Sequence, residues 1–347
     1  MTERAAIILA GGKAQRFQSN QEIWQDKALA KLVGKPLLIH VVENVREVVD
    51  EVVIVVNEES RKLHYEDVLS RCNINNVKIV TDVKIHQLSG PIIAILTGLK
   101  STNADYCLTI PADMPLLSSK VAEYMFNEIK DSNSAVPMWP NGRLETLIMV
   151  LKRTSTLPVT NVLTQLGRAR PDDITRGSLR VLFISPLGQI NSLDPELKSF
   201  VNINFPQDLI NLQPRPTPGP VIEDLRLNLG NLTSEQLELL LKAALKADID
   251  FSDSTKLFSD GAAIFENEDL DFWAALSREF EAKTLLNLTK GNHIPESTEI
   301  VRDSFLKAAR NYALEAETYE QKRCYFLAER AETDKLWCES RQREAIK

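Results

Sequence analysis

The sequence predicts an α/β fold in which a mostly parallel sheet is sandwiched by helices, followed by a C-terminal all-α domain. Segments of strand length alternate with segments of helical periodicity over the first part of the chain. The strand segments are continuously apolar, which is typical of parallel strands buried on both faces. Four prolines within residues 213–220 then separate this part from a remainder rich in leucine, alanine and acidic residues.

Each element of the front part follows from a local pattern. Apolar runs such as AAIILA and EVVIVVN predict strands, and apolar residues at helical spacing between such runs predict helices. Two of these helices are expected to begin at a proline, one at Pro36 and the other at Pro91. The predicted strands are 5–10, 51–57 and 77–82, and 106–115 is predicted as a strand that runs into a loop. The predicted helices are 36–48, 58–71, 90–100 and 119–131.

The pattern becomes less regular after residue 135. Strand-like segments continue the sheet, and a helix is expected after Pro206. Beyond the prolines the pattern predicts helices without any strand, the first of them N-capped by Thr233 or Ser234. These strand-like segments are 135–139, 144–151 and 179–184, and the helical segments are 232–247, 269–288 and 297–347, the last as one or two helices.

The proline-rich segment is the predicted domain boundary. We expect a first domain at 1–212, a stiff linker at 213–220 and a helical domain at 221–347 whose role the sequence does not assign. Because the prolines would separate two cores, the fragment 1–212 is expected to fold alone.

Composition excludes several classes of protein. The net charge of -7 argues against a general nucleic-acid or lipid surface, and no apolar run reaches the roughly 18 residues of a membrane helix. Four cysteines without a CxxC pair and four scattered histidines argue against zinc and disulfide frameworks, so a reducing cytoplasm is expected. Acids outnumber bases 25 to 17 in residues 221–347, whereas the front part is near neutral and can suit a small anionic substrate.

The first predicted strand runs into a glycine turn followed by cations. In LAGGKAQRF, Gly11 and Gly12 allow backbone N–H groups to approach a bound group closely. Such N–H groups bind phosphate oxygens, and Arg16 and Lys27 can neutralise a polyphosphate. A glycine turn with solvated cations is an equal alternative for this loop alone, because the spacing is neither that of a P-loop nor GxGxxG.

Polar residues follow three further predicted strands. Asn57, Asp82 and Asp113 stand at or just beyond the carboxyl ends of their strands, where ligands of such sheets bind. A single carboxylate acting together with substrate phosphates is a common way to hold Mg²⁺, so Asp113 is a candidate ligand. Taken singly, Asp113 is better explained as a loop or N-cap residue and each of the other two is a weak signal, but together with the glycine turn they predict a nucleotide site.

Five segments together resemble the molybdenum cofactor guanylyltransferase family. They are LAGGKAQR, DKALAKLVGKPL, GPIIAILTGL, PADMPLL and FVNINFPQDL, and the resemblance covers roughly residues 5–212. It implies a Rossmann-like nucleotidyltransferase sheet and a nucleotide-binding set. That set comprises Leu9, Ala10, Gly11, Gly12, Lys27, Asn57, Asp82 and Asp113, with Asp113 on Mg²⁺, Arg16 at the triphosphate, and Asn202 and Asn204 toward the pterin or metal.

The resemblance also implies an activity and partners. GMP would pass from GTP to the molybdopterin-bound molybdenum cofactor with release of pyrophosphate, in a Mg²⁺-dependent reaction whose catalytic residues are Arg16, Lys27 and Asp113. Acceptor molybdoenzymes or chaperones are further candidate partners. The chain departs from the family pattern where Gln18 replaces a glycine, in a longer stretch before Lys27, and at Glu145-Thr146, where relatives have a proline turn.

Other functions stay open at this point. A cytidylyltransferase for the same pterin, or a guanylyltransferase for cobinamide phosphate, would share the fold and much of the pattern. A non-catalytic nucleotide-binding scaffold, with the helical part as its working region, is the alternative from another class. The missing glycine favours such a scaffold, whereas the retained Arg16, Lys27 and Asp113 favour an enzyme.

Overall fold

A computed structural model of the chain describes residues 3–12, 17, 26–85, 88–212, 219, 221, 223–289 and 295–344. Within these residues, eight strands form one sheet in the order β10-β9-β7-β8-β6-β1-β4-β5, and β2 and β3 form a hairpin. The strands are β1 Arg4–Leu9, β2 Lys31–Leu32, β3 Lys35–Pro36, β4 Glu51–Val56, β5 Val77–Thr81, β6 Tyr106–Pro111, β7 Ser134–Pro137, β8 Met149–Lys152, β9 Arg180–Ile184 and β10 Leu225–Asn228.

The sheet is mostly parallel, as predicted. β6, β1, β4 and β5 are parallel neighbours, and β7 runs parallel to β9. β8 and β10 are antiparallel to the strands beside them. The carboxyl ends of β1, β4, β5, β6 and β7 therefore meet at one edge of the sheet.

Helices cover both faces of the sheet. Successive residues of β1 alternate between two clusters of buried apolar side chains, with Ala6 and Ile8 in one and Ala5 and Ile7 in the other. The helices are α1 Leu37–Val45, α2 Glu59–Arg71, α3 Pro91–Ser101, α4 Ser119–Glu128, α5 Arg153–Gln165, α6 Asp172–Gly177, α7 Asn191–Leu193, α8 Ser234–Lys246, α9 Phe251–Asn267, α10 Asp271–Thr289, α11 Pro295–Gln321 and α12 Tyr325–Glu344.

The C-terminal region is helical from α8 to α12, as predicted, but it contains one strand and shares a core with the sheet. β10 lies within the predicted strand-free part and pairs with β9 at the edge of the sheet. The cluster that contains Ile7 of β1 also contains Leu240 of α8, Trp273 of α10 and Phe305 of α11, so there are not two separate cores. The boundaries at 212 and 221 stay a prediction, but helices α8 to α12 extend the packing on one face of the sheet.

The irregular stretch after residue 135 differs in detail from the prediction. The strand expected at 144–151 is only β8, the helix expected after Pro206 is a single 3₁₀ turn, and α5 follows directly from β8. α5 contains Pro158 and four threonines, residues of low helix propensity, so burial of Val159 and Leu163 against the sheet is what stabilises it.

Gly98 sets how closely α3 approaches the sheet. A Cβ atom placed on Gly98 would lie 2.2 Å from Cγ2 of Ile7, a fully buried side chain of β1. We expect Gly98→Ala to lower the free energy of unfolding by about 1–3 kcal/mol, because overpacking outweighs the better helix propensity of alanine. Urea denaturation measures the loss. The loss of stability caused by Gly98→Ala should be smaller in an Ile7→Ala background. Losses that are strictly additive in the double variant would contradict the clash.

Candidate active site

The glycine turn joins the ends of two neighbouring strands. Beyond β1, the Ala10 amide donates to the Val55 carbonyl at 2.9 Å, which extends the β1–β4 pairing into the turn. A Cβ atom on Gly11 would lie 3.3 Å from both the Cβ and the amide nitrogen of Asn57. A larger residue would have to push Asn57 aside, so Gly11 lets the backbone and Asn57 share the same edge of the sheet.

The polar residues at the strand ends converge on one cavity of about 500 Å³. Asn57, Asp82 and Asp113 follow β4, β5 and β6, and all three line it. The N-terminus of α3 opens onto the same space, which adds the positive end of a helix dipole to this wall. The cavity is lined by Leu9, Ala10, Gly11, Gly12, Asp26, Lys27, Ala28, Asn57, Asp82, Ser89, Gly90, Pro91, Ala94, Pro111, Ala112, Asp113 and Leu147.

Lys27 and Asp113 form an ion pair on the wall of the cavity. Lys27 Nζ lies 2.6 Å from Asp113 Oδ2, and the two side chains are 12% and 24% exposed. Lys27 Nζ also lies 3.5 Å from Asn204 Oδ1, and the Ile203 amide donates to the Asp113 carbonyl at 3.0 Å. The segment that contains Asn202 and Asn204 therefore lies against the ion pair, although it is about 90 residues away from Asp113 in sequence.

Only one of the two Asp113 carboxylate oxygens is paired within the described residues. Its Oδ1 is buried and has no hydrogen-bond partner among the described residues, which is costly unless something else occupies that position. The described residues contain no group of three or more His, Cys, Asp or Glu side chains able to hold a metal. Mg²⁺ is commonly held by one carboxylate oxygen, with phosphate and water in its other coordination positions, so the unpaired Asp113 oxygen fits this ion.

Comparisons with known proteins agree with this geometry. The family described as "MobA-like NTP transferase domain" matches residues 6–178. A molybdenum cofactor guanylyltransferase of Shewanella putrefaciens is 31% identical over 150 residues, which are 43% of this chain and 69% of that protein. This chain belongs to the MobA-like NTP transferase family.

Two further matches are found for this MobA-like transferase. A probable molybdenum cofactor guanylyltransferase of Methanosarcina acetivorans is 28% identical over 207 residues, or 59% of this chain and 88% of that protein. The solved structure of molybdopterin-guanine dinucleotide biosynthesis protein A from Archaeoglobus fulgidus aligns with 60% of this chain and 96% of its own, with a TM-score of 0.48 and 23% identity. The family model and the two curated relatives confirm the family predicted from the five sequence segments, and the chain is a nucleotidyltransferase.

The structure brings together the eight predicted nucleotide-site residues that it describes, whereas Asn202 and Asn204 are not among those that line the cavity. Leu9, Ala10, Gly11, Gly12, Lys27, Asn57, Asp82 and Asp113 all line the cavity. Arg16 lies outside the described residues. Its neighbour Phe17 is 3% exposed and belongs to a small apolar cluster with Val201 and Ile203. The roles assigned to these side chains remain predictions, whereas their shared location is a property of the fold.

The sequence patterns missed two buried residues behind the glycine turn, Arg61 and Tyr65 of α2. Arg61 donates to the Ala10 and Gly12 carbonyls, and Tyr65 donates to Asp26 Oδ2. Asp26 enters the sequence patterns only as the first residue of the segment DKALAKLVGKPL. Polar residues on a surface helix are common and carry no signal by themselves, so only their burial, 6% exposed for Arg61 and 0% for Tyr65, identifies them.

A second group of polar side chains lies beyond the carboxyl end of β7, on the same edge of the sheet. Trp139 Nε1 and Arg143 Nη2 each donate to Glu145 Oε1 at 2.6 Å. The Trp139 ring meets Phe200 edge-on at 5.3 Å, which connects this loop to the segment beside Lys27. Gly142 of the loop lies against the first residue of α12, Tyr325, so the C-terminal region reaches this end of the site.

None of the helices in the described part of this transferase is both long and apolar enough to cross a membrane.

Burial raises the pKa of Asp82 from 3.8 to about 6. Protonated Asp82 is therefore favoured in the folded state, and this contribution to stability is complete below pH 3.8 and is lost as the pH rises through 6. We expect the stability of the wild type relative to Asp82→Asn to increase as the pH falls from 7.5 to 4.5. Denaturation midpoints at several pH values measure this, and a pH-independent difference would contradict it.

Lys27→Ala should weaken the binding of a nucleoside triphosphate with Mg²⁺ by about 10- to 100-fold, because one charge-assisted contact is lost. Isothermal titration calorimetry measures the affinity. Lys35→Ala is the matched control, because Lys35 lies on the β2–β3 hairpin, is 41% exposed and pairs with Glu43. Equal affinities for the two variants would place Lys27 away from the phosphates.

Proposed function

We propose that this chain is a molybdenum cofactor guanylyltransferase that transfers GMP from GTP to the molybdopterin-bound molybdenum cofactor. A terminal phosphate oxygen of the acceptor attacks the α-phosphorus of GTP. The new P–O bond forms as the bond between the α-phosphorus and the bridging oxygen breaks, and pyrophosphate leaves. The observation that carries the proposal is the Lys27–Asp113 pair in the strand-edge cavity of a chain 31% identical to a protein of that name.

The chemistry requires two anionic phosphates to meet in line, so their repulsion has to be reduced. Lys27 and Arg16 are the cations proposed for the triphosphate, and the amides of the Ala10–Gly12 turn and the N-terminus of α3 provide further positive potential. Mg²⁺ held by Asp113 would neutralise charge on the triphosphate and on the leaving pyrophosphate. Positioning and electrostatics are sufficient for such a transfer, so no covalent enzyme intermediate is required.

The remaining site residues divide between donor and acceptor. We propose that Asn57 and Asp82 bind the guanine nucleotide beside Leu9 and Gly11, in the part of the cavity bounded by α3. Asn204 Oδ1 lies 3.5 Å from Lys27 Nζ, and Asn202 and Asn204 are proposed to bind the acceptor. The Oδ1 atom of Asn202 is buried without a hydrogen-bond partner among the described residues, as expected of a group that awaits a ligand.

The test is a transfer assay with the purified protein, Mg²⁺, GTP, CTP or ATP in turn, and as acceptor either molybdenum cofactor released from a molybdoenzyme or cobinamide phosphate. We expect pyrophosphate release with GTP that depends on the cofactor. Preference for CTP would move the protein to the cytidylyl alternative, and turnover only with cobinamide phosphate would identify that acceptor. Binding without turnover for any acceptor would favour the non-catalytic scaffold.

The proposal also includes the cellular compartment and the binding partners of the protein. The described cysteines are all unpaired, in keeping with a reducing cytoplasm. GTP and the molybdenum cofactor are the proposed small-molecule partners. Acceptor molybdoenzymes, or the chaperones that deliver the finished cofactor to them, are candidates for the surface formed by α8 to α12.

A further inference from the structure

Arg61 lies behind the cavity, at the point where the glycine turn meets the segment that carries Lys27. Its Nη1 donates to the Ala10 carbonyl at 3.1 Å and to the Gly12 carbonyl at 3.3 Å. Its Nε lies 3.1 Å from Asp26 Oδ2. One planar guanidinium thus contacts the backbone on one side of the cavity and the residue before Lys27 on the other.

Asp26 connects Arg61 to the turn that contains Lys27. Its Oδ1 accepts from the Ala28 amide at 3.1 Å and so N-caps the 3₁₀ turn Lys27–Leu29. Its Oδ2 accepts from the Tyr65 hydroxyl at 2.9 Å and pairs with Arg61, and the Asp26 side chain is only 9% exposed. Burial raises the pKa of Tyr65 well above its ordinary value, so the hydroxyl keeps the proton that it donates. The cap orients the turn that presents the Lys27 ammonium to Asp113.

We propose that Arg61 is a positioning residue that holds the glycine turn and Lys27 in a fixed relation through Asp26. The inference rests on the proposed function, in which the turn and Lys27 bind the same triphosphate. Arg61 is 6% exposed and is not among the described residues that line the cavity, so it acts through its neighbours. Its contribution is to keep two phosphate-binding elements, 15 residues apart in sequence, at the spacing of one substrate.

Several features distinguish this arrangement from a general structural ion pair. Arg61 makes two of its contacts to carbonyls of the predicted phosphate-binding turn. Asp26 uses both oxygens, one for the pair and one for the cap of the catalytic lysine. A lysine at position 61 has no planar fork and can satisfy only some of these acceptors, so it should restore the geometry partially.

The experiment compares Arg61→Met, Arg61→Lys and Asp26→Asn with the wild type in two measurements. The first is the rate at which an amine-reactive reagent labels Lys27, resolved by mass spectrometry of peptides. Lys27 is 12% exposed and paired, so it should react slowly in the wild type and several-fold faster when Arg61 is lost. The second is steady-state transfer, in which kcat should fall by about 100-fold for Arg61→Met while the KM for the acceptor changes little.

Leu240→Ala is the control for general destabilisation. Leu240 lies in α8 and is 1% exposed, so its truncation destabilises the fold without contacting the site. The proposal expects faster labelling of Lys27 in Arg61→Met than in Leu240→Ala, with Arg61→Lys in between. Equal labelling in Arg61→Met and Leu240→Ala would overturn it.

Two further outcomes are separated by design. If Arg61→Met does not fold, Asp26→Asn carries the same test, because it keeps the shape of the side chain and a cap acceptor while removing the charge that pairs with Arg61. Unchanged Lys27 labelling in that variant would overturn the proposal. If the wild type transfers no nucleotide, the proposed function fails, yet the labelling still decides whether Arg61 positions Lys27.

Discussion

Asp113→Ala and Asp113→Asn should each reduce Mg²⁺-dependent transfer at least about 1000-fold while leaving the fold intact. Asp113 provides the unpaired buried oxygen at the end of β6, and its other oxygen orients Lys27. Its side chain is 24% exposed at the cavity wall, so neither substitution opens a hole in the core. The loss should therefore appear in turnover and not in the free energy of unfolding.

The two variants also separate the metal from the nucleotide. Removal of the carboxylate takes a negative charge away from the triphosphate and releases Lys27 from its pair, so binding of GTP without metal should be equal to or tighter than in the wild type. In these variants, Mg²⁺ should no longer strengthen GTP binding relative to binding in EDTA. Calorimetry under both conditions measures this, and a full Mg²⁺ dependence in Asp113→Asn would remove Asp113 as the metal ligand.

Arg176→Met should lower the free energy of unfolding by about 3–5 kcal/mol, the largest stability effect that we expect from a single substitution outside the apolar core. Arg176 is fully buried in α6. It makes a bidentate pair with Glu315 of α11 at 2.8 and 2.7 Å. Its Nη1 donates to Asp173 at 3.0 Å and to Asp334 of α12 at 2.6 Å.

The size of the effect follows from what the substitution leaves behind. Burial raises the pKa of Asp334, but the guanidinium groups of Arg168 and Arg176 override it and hold that pKa at about 2. Without Arg176, Glu315 has no cation among its hydrogen-bonding contacts with the described residues, and Asp334 relies on Arg168 and Arg170. Buried carboxylates that lose their partner are costly, whereas the apolar stem of methionine recovers only the packing.

Urea denaturation measures this prediction. Arg71→Met is the matched control, because Arg71 of α2 is 76% exposed and pairs with Asp67 one helical turn away, a kind of pair that contributes less than about 1 kcal/mol. Similar losses in the two variants would mean that water reaches the cluster around Arg176.

Because α6 lies within 1–212 and Glu315 and Asp334 do not, we expect the fragment 1–212 to be unstable, contrary to what the linker suggested.

The edge of the sheet that bounds the cavity could be predicted because its signals are local. Each strand end is marked by an apolar run that stops at a polar residue, and parallel strands must bring such ends to one edge. Thr233 as the N-cap of α8 was predictable for the same reason, since the capping box with Gln236 is a pattern of four consecutive residues. Arg61 could not be predicted, because its partners on the glycine turn are about 50 residues away.

The sequence by itself determined the order of the apolar strands, the glycine turn, the polar strand ends and the family, because these depend on residues that are near one another in the chain. The tertiary structure decided the rest. β10 is a strand because β9 offers an unpaired edge, and α5 is a helix despite its threonines because its apolar side is buried. The charged cluster around Arg176 and the contact of Arg61 with Asp26 exist only where distant segments exclude water from their side chains, since burial is what makes such contacts strong.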